Sequence, residues 1–79
     1  MKKIFASVDI GSDTVKILTC EVVGEIYNVL AATSINSKGI RKGLVVDSSL
    51  AINTIKDGMK IINDELGFDV KKVVVNVRD

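Results

Sequence analysis

The residues best placed to do chemistry lie in Val8-Asp9-Ile10-Gly11-Ser12-Asp13-Thr14-Val15-Lys16. An apolar run ends in an acid, Gly-Ser-Asp-Thr turns the chain, and a lysine follows on the return. Tight turns of glycine and small hydroxyl residues point successive backbone N–H groups into one concavity, which suits an anion. Ser12 and Thr14 add hydroxyl donors, and Lys16 can set a point charge on phosphate oxygens. Asp9 would be repelled by a polyphosphate unless a cation intervened, so its natural task is that of a Mg²⁺ partner, through a bound water. An ordinary hairpin turn uses the same residue types, with Asp9 and Lys16 as plain strand-end charges. Spacing alone leaves both readings open.

The elements that must position these residues follow from periodicity. Ile4 to Ile10 is apolar apart from Ser7 and Asp9 and reads as a strand buried on both faces. Thr14 to Val23, rich in Val, Ile and Thr, returns as its antiparallel partner. Along the strands Asp9 shares a face with Phe5 and Ser7, and Lys16 shares one with Thr14, Leu18 and Cys20. Gly24-Glu25 marks a second turn, and Ile26 to Ser34 is a third strand. Ser37 to Gly43 is a polar loop with two glycines, leading through an extended Leu44-Val45-Val46 to a helix capped by Asp47 or Ser48. Ile52, Ile55, Met59, Ile62 and Leu66 recur at helical steps and form the expected buried stripe. Gly58 inside that helix implies close packing on the sheet, and Gly67 ends the helix at the C′ position. Val70 to Val77 is a final strand, whose unbroken valines suit a position covered on both faces. Reached through a helix, it is expected to lie parallel to its partner. The order β-β-β-α-β with a mixed sheet is an α/β fold. One helix covers one face of a sheet and the other face needs more protein, so residues 1–79 read as an incomplete fragment.

Composition narrows the function classes. The chain has 79 residues, 47% of them hydrophobic and 27% charged, enough for one small core. A chain of this length buries only about 60–65% of its unfolded surface. Eleven Lys and Arg against ten Asp and Glu, mixed along the chain, form no basic stripe and argue against nucleic acid as a partner. The lone Cys20 excludes an internal disulfide and a multi-cysteine metal site, and reads as a small hydrophobe in a strand. A reducing, cytosolic setting fits that usage. Asp9 interrupts the N-terminal apolar run before it reaches the length of a signal h-region.

Residues 8–16 resemble the phosphate-1 motif of the actin, sugar-kinase and heat-shock chaperone superfamily. In it a strand, an acid, a Gly and a Ser or Thr form a β-hairpin over nucleotide phosphates. The resemblance implies ATP with Mg as cofactor. Asp9 would approach the metal through water, Gly11, Ser12, Asp13 and Thr14 would present backbone amides to phosphate, and Lys16 would match the phosphate-contacting lysine of actins. Ser37-Lys38-Gly39-Ile40-Arg41-Lys42-Gly43-Leu44-Val45-Val46-Asp47 resembles the Ser-x-Gly-[IVL]-x-x-Gly-x-[IV]-x-Asp stretch of FtsA, the bacterial cell-division actin homologue. There it precedes a helix and then a Val-rich strand, as here.

The match spans nearly the whole chain and corresponds to the N-terminal part of subdomain 1A, an actin-like, ribonuclease H-like half-domain. Where the family often continues into a Ser-Gly turn, this chain reads Asn76-Val77-Arg78-Asp79. The last strand could therefore close the 1A sheet or lead into the inserted subdomain. By resemblance the partners are FtsZ and a polymer of the protein itself. Membrane attachment would come only through regions beyond these residues, at the inner face of the cell membrane at the division site. The whole protein would bind ATP and hydrolyse it weakly, and the 79-residue piece alone would be inactive. A pilus-assembly scaffold of the PilM kind and a sugar-kinase-type phosphotransferase share the hairpin and stay open, as does a small α/β module without nucleotide. The glycine-bearing loop before the helix favours FtsA, and a kinase would need a catalytic carboxylate beyond Asp9.

Overall fold

The computed structural model describes residues 2–11, 14–36, 40–41, 44–45 and 48–77. Three strands come first, β1 (Lys2–Ile10), β2 (Thr14–Val23) and β3 (Ile26–Asn36). Two short strands, β4 (Ile40–Arg41) and β5 (Leu44–Val45), precede helix α1 (Ser48–Leu66), and β6 (Val73–Val77) follows it. The main sheet has the order β3-β2-β1-β6, with antiparallel β1–β2 and β2–β3 pairs and a parallel β1–β6 pair. This is the expected β-β-β-α-β mixed sheet. The β4–β5 hairpin, a separate two-stranded sheet, falls where a polar loop and an extended stretch were expected. Asp47, the alternative helix cap, lies outside the described residues, as do Ser37, Gly39 and Gly43 of the preceding loop.

Glycine supplies two of the turns. Val23 pairs with Ile26 across Gly24-Glu25, and Gly24 has φ of 61°. Such two-residue hairpin turns need positive φ, which glycine adopts without a Cβ clash. Gly67, with φ of 81°, donates its N–H to the Asn63 carbonyl at 2.8 Å and closes α1. The Asn63 side chain then accepts from the Val70 N–H at 3.0 Å, which fixes the exit of the chain toward β6.

The core lies between α1 and one face of the sheet. Ala6, Val8 and Ile10 of β1 face it with Val15 and Ile17 of β2 and Ala31 of β3, and Ala51, Ile62 and Val70 close it. Ile52, assigned to the buried stripe, is 51% exposed instead. The seam runs through the small residues Ala51, Thr54 and Gly58, about 100° round the helix from Ile52. Ile55, Met59 and Leu66 pack against its edge. Thr54, buried among apolar neighbours, satisfies its hydroxyl on the Leu50 carbonyl at 2.8 Å. On the solvent side Lys60 donates to Asp64 at 2.9 Å, and this bond holds the Lys60 ammonium above its ordinary pKa.

Gly58 does pack as its position implied. A Cβ at this residue would overlap Ile17 Cδ1 and sit 3.0 Å from Ile35 Cδ1. Helix and sheet therefore touch backbone to side chain here.

Two strands are less covered than their apolar runs implied. In β1 the side of Ala6, Val8 and Ile10 is buried, but Phe5, Ser7 and Asp9 on the other side are only half-buried. In β6, Val73, Val74 and Val75 are 40%, 49% and 52% exposed. Helix α1 lies over β2 and β3, so neither face of this edge strand is covered by the described residues.

Between Thr19 and Cys20 the β2–β3 register shifts, and Leu30 is the extra residue. Such a bulge reverses which residues of the longer strand face each side. Beside it the Thr19 hydroxyl is fully buried with no hydrogen-bond partner among the described residues. Burying an unmatched hydroxyl costs about 1–3 kcal/mol. Thr19→Val, nearly the same shape, is therefore expected to raise stability by about 1 kcal/mol, seen as a higher urea midpoint. A lower midpoint would mean that the hydroxyl has a partner.

Candidate functional site

The first hairpin brings Asp9 and Lys16 together. They are direct cross-strand partners, and so are Ile10 and Val15 beyond them. Directly opposed residues project to the same face. Phe5 with Cys20 and Ser7 with Leu18 are opposed in the same way, so the two groupings expected for Asp9 and for Lys16 form one face. It is the face turned away from α1.

The turn is closed by the Gly11 N–H, which donates to the Thr14 carbonyl at 2.9 Å. Of the four amides assigned to phosphate, that of Gly11 is thus committed to the hairpin. Thr14 is half-buried at the start of β2. Ser12 and Asp13 lie outside the described residues.

A cleft of about 540 Å³ opens on this face, lined by Ser7, Asp9, Lys16, Leu18, Ala32 and Ser34 among others. Lys16 is exposed, whereas Asp9 is half-buried with its Oδ1 shielded from solvent. Ser34, from β3, is the direct partner of Lys16 on the side away from Asp9. Residue types alone could not reveal Ser34, because it lies 18 positions beyond Lys16 and past the bulge. Register counted from the second turn alone would pair Lys16 with Thr33, and the extra residue at Leu30 moves the partner to Ser34.

The donor set is small. Among the described residues no three Asp, Glu, Cys or His side chains gather to hold a metal. A single carboxylate beside an ammonium group suits Mg²⁺ that keeps most of its waters and arrives with a phosphate ligand. The side-by-side carboxylate of Asp9 and ammonium of Lys16 would fit a metal–polyphosphate pair. Cys20 is a free thiol, buried as expected for a small hydrophobe in the strand. No helix among the described residues is long and apolar enough to cross a membrane.

No family model matches the chain. Cell division protein FtsA of Streptococcus pneumoniae serotype 2 is 32% identical over 73 residues, which cover 92% of this chain and 16% of that protein. FtsA of Bacillus subtilis is 25% identical over 75 residues, 95% of this chain and 17% of its own length. FtsA of Staphylococcus epidermidis is 33% identical over 73 residues, again 92% and 16%. The chain therefore spans about one sixth of the length of these relatives.

Among solved structures, a diol dehydratase-reactivating factor superposes with a TM-score of 0.72 at 15% identity, over 94% of this chain and 12% of that one. A Ppx/GppA family protein of Aquifex aeolicus gives 0.59 at 20% identity, over 95% and 26%. An exopolyphosphatase of Cytophaga hutchinsonii gives 0.58 at 22%, over 92% and 24%. At such identities these likenesses establish the fold alone, a partial actin-like, ribonuclease H-like domain. Over nearly its whole length the chain is similar to the N-terminal part of FtsA, and it carries the fold of the actin-like ATPases.

Proposed function

We propose that the chain forms the phosphate-side wall of a Mg-ATP cleft in an FtsA-like actin homologue. The whole protein then binds ATP, polymerises, and tethers the FtsZ ring to the inner face of the membrane at the division site. The observation that carries the nucleotide reading is the in-register pairing of Asp9 with Lys16 on an open sheet face, at the end of the first hairpin. The cell-division reading rests on the similarity to FtsA.

In this account Lys16 binds phosphate oxygens, and the amides of Ser12, Asp13 and Thr14 donate to them. Gly11 shapes the turn. Asp9 orients the water shell of Mg²⁺, which when bound neutralises phosphate charge. Among the described residues that line the cleft Asp9 is the one carboxylate, and a phosphotransferase would need a second one to deprotonate a substrate hydroxyl.

A wall is only half of a cleft. The 79-residue chain by itself is expected to bind Mg-ATP more weakly than about 1 mM, because contacts from one side leave the cost of immobilising the ligand unmet. Calorimetry checks this, and micromolar binding to the isolated chain would contradict it. The whole protein should bind at micromolar or better, and failure to bind any nucleotide would overturn the reading.

A further inference from the structure

The register places a polar row across all four strands of the sheet. Lys16 is partnered by Asp9 on one side and Ser34 on the other, and Asp9 is partnered in turn by Asn76 of β6. The row Ser34–Lys16–Asp9–Asn76 crosses the open face at the hairpin end, a span of about 14 Å at the usual strand spacing. The next row away from the hairpin is Ala32–Leu18–Ser7–Val74, and beyond it come Val29, Cys20 and Phe5. Four polar residues are thus gathered in one row at the hairpin end, the next rows are apolar apart from Ser7, and Lys3 beside Val22 marks the far end of the face.

Asn76 is the one polar residue in Val-Val-Val-Asn-Val. Asparagine is disfavoured in strands, where valine fits best. Its position beside Asp9 gives it a use. An aspartate and a lysine on adjacent strands attract each other, and a closed ion pair would withdraw both charges from a ligand. A carboxamide on the far side of Asp9 and a hydroxyl on the far side of Lys16 offer each charge a second partner.

We propose that Asn76 and Ser34 are positioning residues of the nucleotide site. The Asn76 carboxamide donates to the Asp9 carboxylate, and the Ser34 hydroxyl accepts from the Lys16 ammonium. Together they hold the two charges apart, so that metal and phosphate can enter between them. This rests on the nucleotide reading above and adds two residues that the hairpin motif does not contain.

The test measures ATP affinity of the whole protein by calorimetry, once with Mg²⁺ and once with EDTA, together with the melting temperature. Asn76→Val restores the valine pattern of its strand, so the melting temperature should hold or rise. Its Mg-ATP affinity should fall about tenfold while metal-free affinity stays within twofold. Ser34→Ala should weaken both affinities about fivefold, and Ser34→Thr, which keeps the hydroxyl, should recover them. If the wild type binds Mg-ATP and Asn76→Val and Ser34→Ala bind it equally well, the positioning roles are wrong and the site itself stands. Equal losses with and without Mg²⁺ in Asn76→Val, with a lowered melting temperature, would show a merely structural role and also overturn the inference. If the wild type binds no nucleotide, the proposed function fails and this inference fails with it.

Discussion

Lys16→Ala in the whole protein is expected to weaken Mg-ATP binding by about 10- to 100-fold. A hydrogen bond to a charged group contributes about 1.5–3 kcal/mol, and each 1.4 kcal/mol is a factor of ten. Lys16 is exposed on the open face, so its removal disturbs no packing. The loss should therefore appear in affinity and not in the melting temperature. Asp9→Ala and Asp9→Asn should act differently, abolishing the gain in affinity that Mg²⁺ provides. Without the metal, Asp9→Asn should bind ATP at least as well as the wild type, because a negative charge beside phosphate has been removed. Unchanged Mg-ATP affinity in both Lys16→Ala and Asp9→Ala would sink the site assignment.

The second large effect concerns stability. Alanine at position 58 would gain about 1 kcal/mol from helix propensity. Its Cβ would overlap Ile17 Cδ1, the end of a side chain that is 1% exposed and must shift within the core. Overpacking of this kind costs about 1–3 kcal/mol, so Gly58→Ala is expected to destabilise on balance and Gly58→Leu to cost more than 3 kcal/mol. For a small domain that is a large share of roughly 4–12 kcal/mol in total. Ile17→Val removes the very Cδ1 that stands in the way. Alone it should cost about 0.5–1.5 kcal/mol. Combined with Gly58→Ala it should cost less than the sum of the two single changes, a favourable coupling measurable by urea denaturation of all four proteins. Strict additivity would mean that helix and sheet do not meet at this point.

Much of the scaffold was legible from local signals. Gly24-Glu25 and Gly67 each demanded a backbone shape that only a turn or a helix end provides, and both occur there. Gly58, costly inside a helix, pointed to a close contact with the sheet, and its Cβ would indeed overlap Ile17. What was not legible depended on register. The loose alternation of β3 comes from the bulge at Leu30, which moves the open face from even positions, Ala32 and Ser34, to odd ones, Tyr27 and Val29. The exposure of β6 also escaped, because three successive valines say that a strand is apolar but not where α1 will lie. The same holds for Ile52, displaced by a seam of small residues that carry little hydrophobic signal.

The site was legible in part. Asp9 and Lys16 were singled out by type, but they were assigned to groupings named separately. Only the pairing of Ile10 with Val15 across the turn makes those groupings one face. Ser34 and Asn76 join the row through two further strand pairings, and neither residue type carries a signal by itself. The contribution of Gly11 changed as well, from a phosphate donor to the residue whose N–H closes the hairpin.

On the reading proposed above, metal and nucleotide sit at the hairpin end of the open face. Paramagnetic broadening by Mn²⁺-ATP, read on backbone amide signals of these residues in the whole protein, measures that location directly. Signals of Gly11, Thr14 and Lys16 should broaden first and most, those of Ser34 and Asn76 next, and those of Val22 and Tyr27 at the far end should persist. Broadening centred on the far end, or on the α1 side of the sheet, would contradict the account.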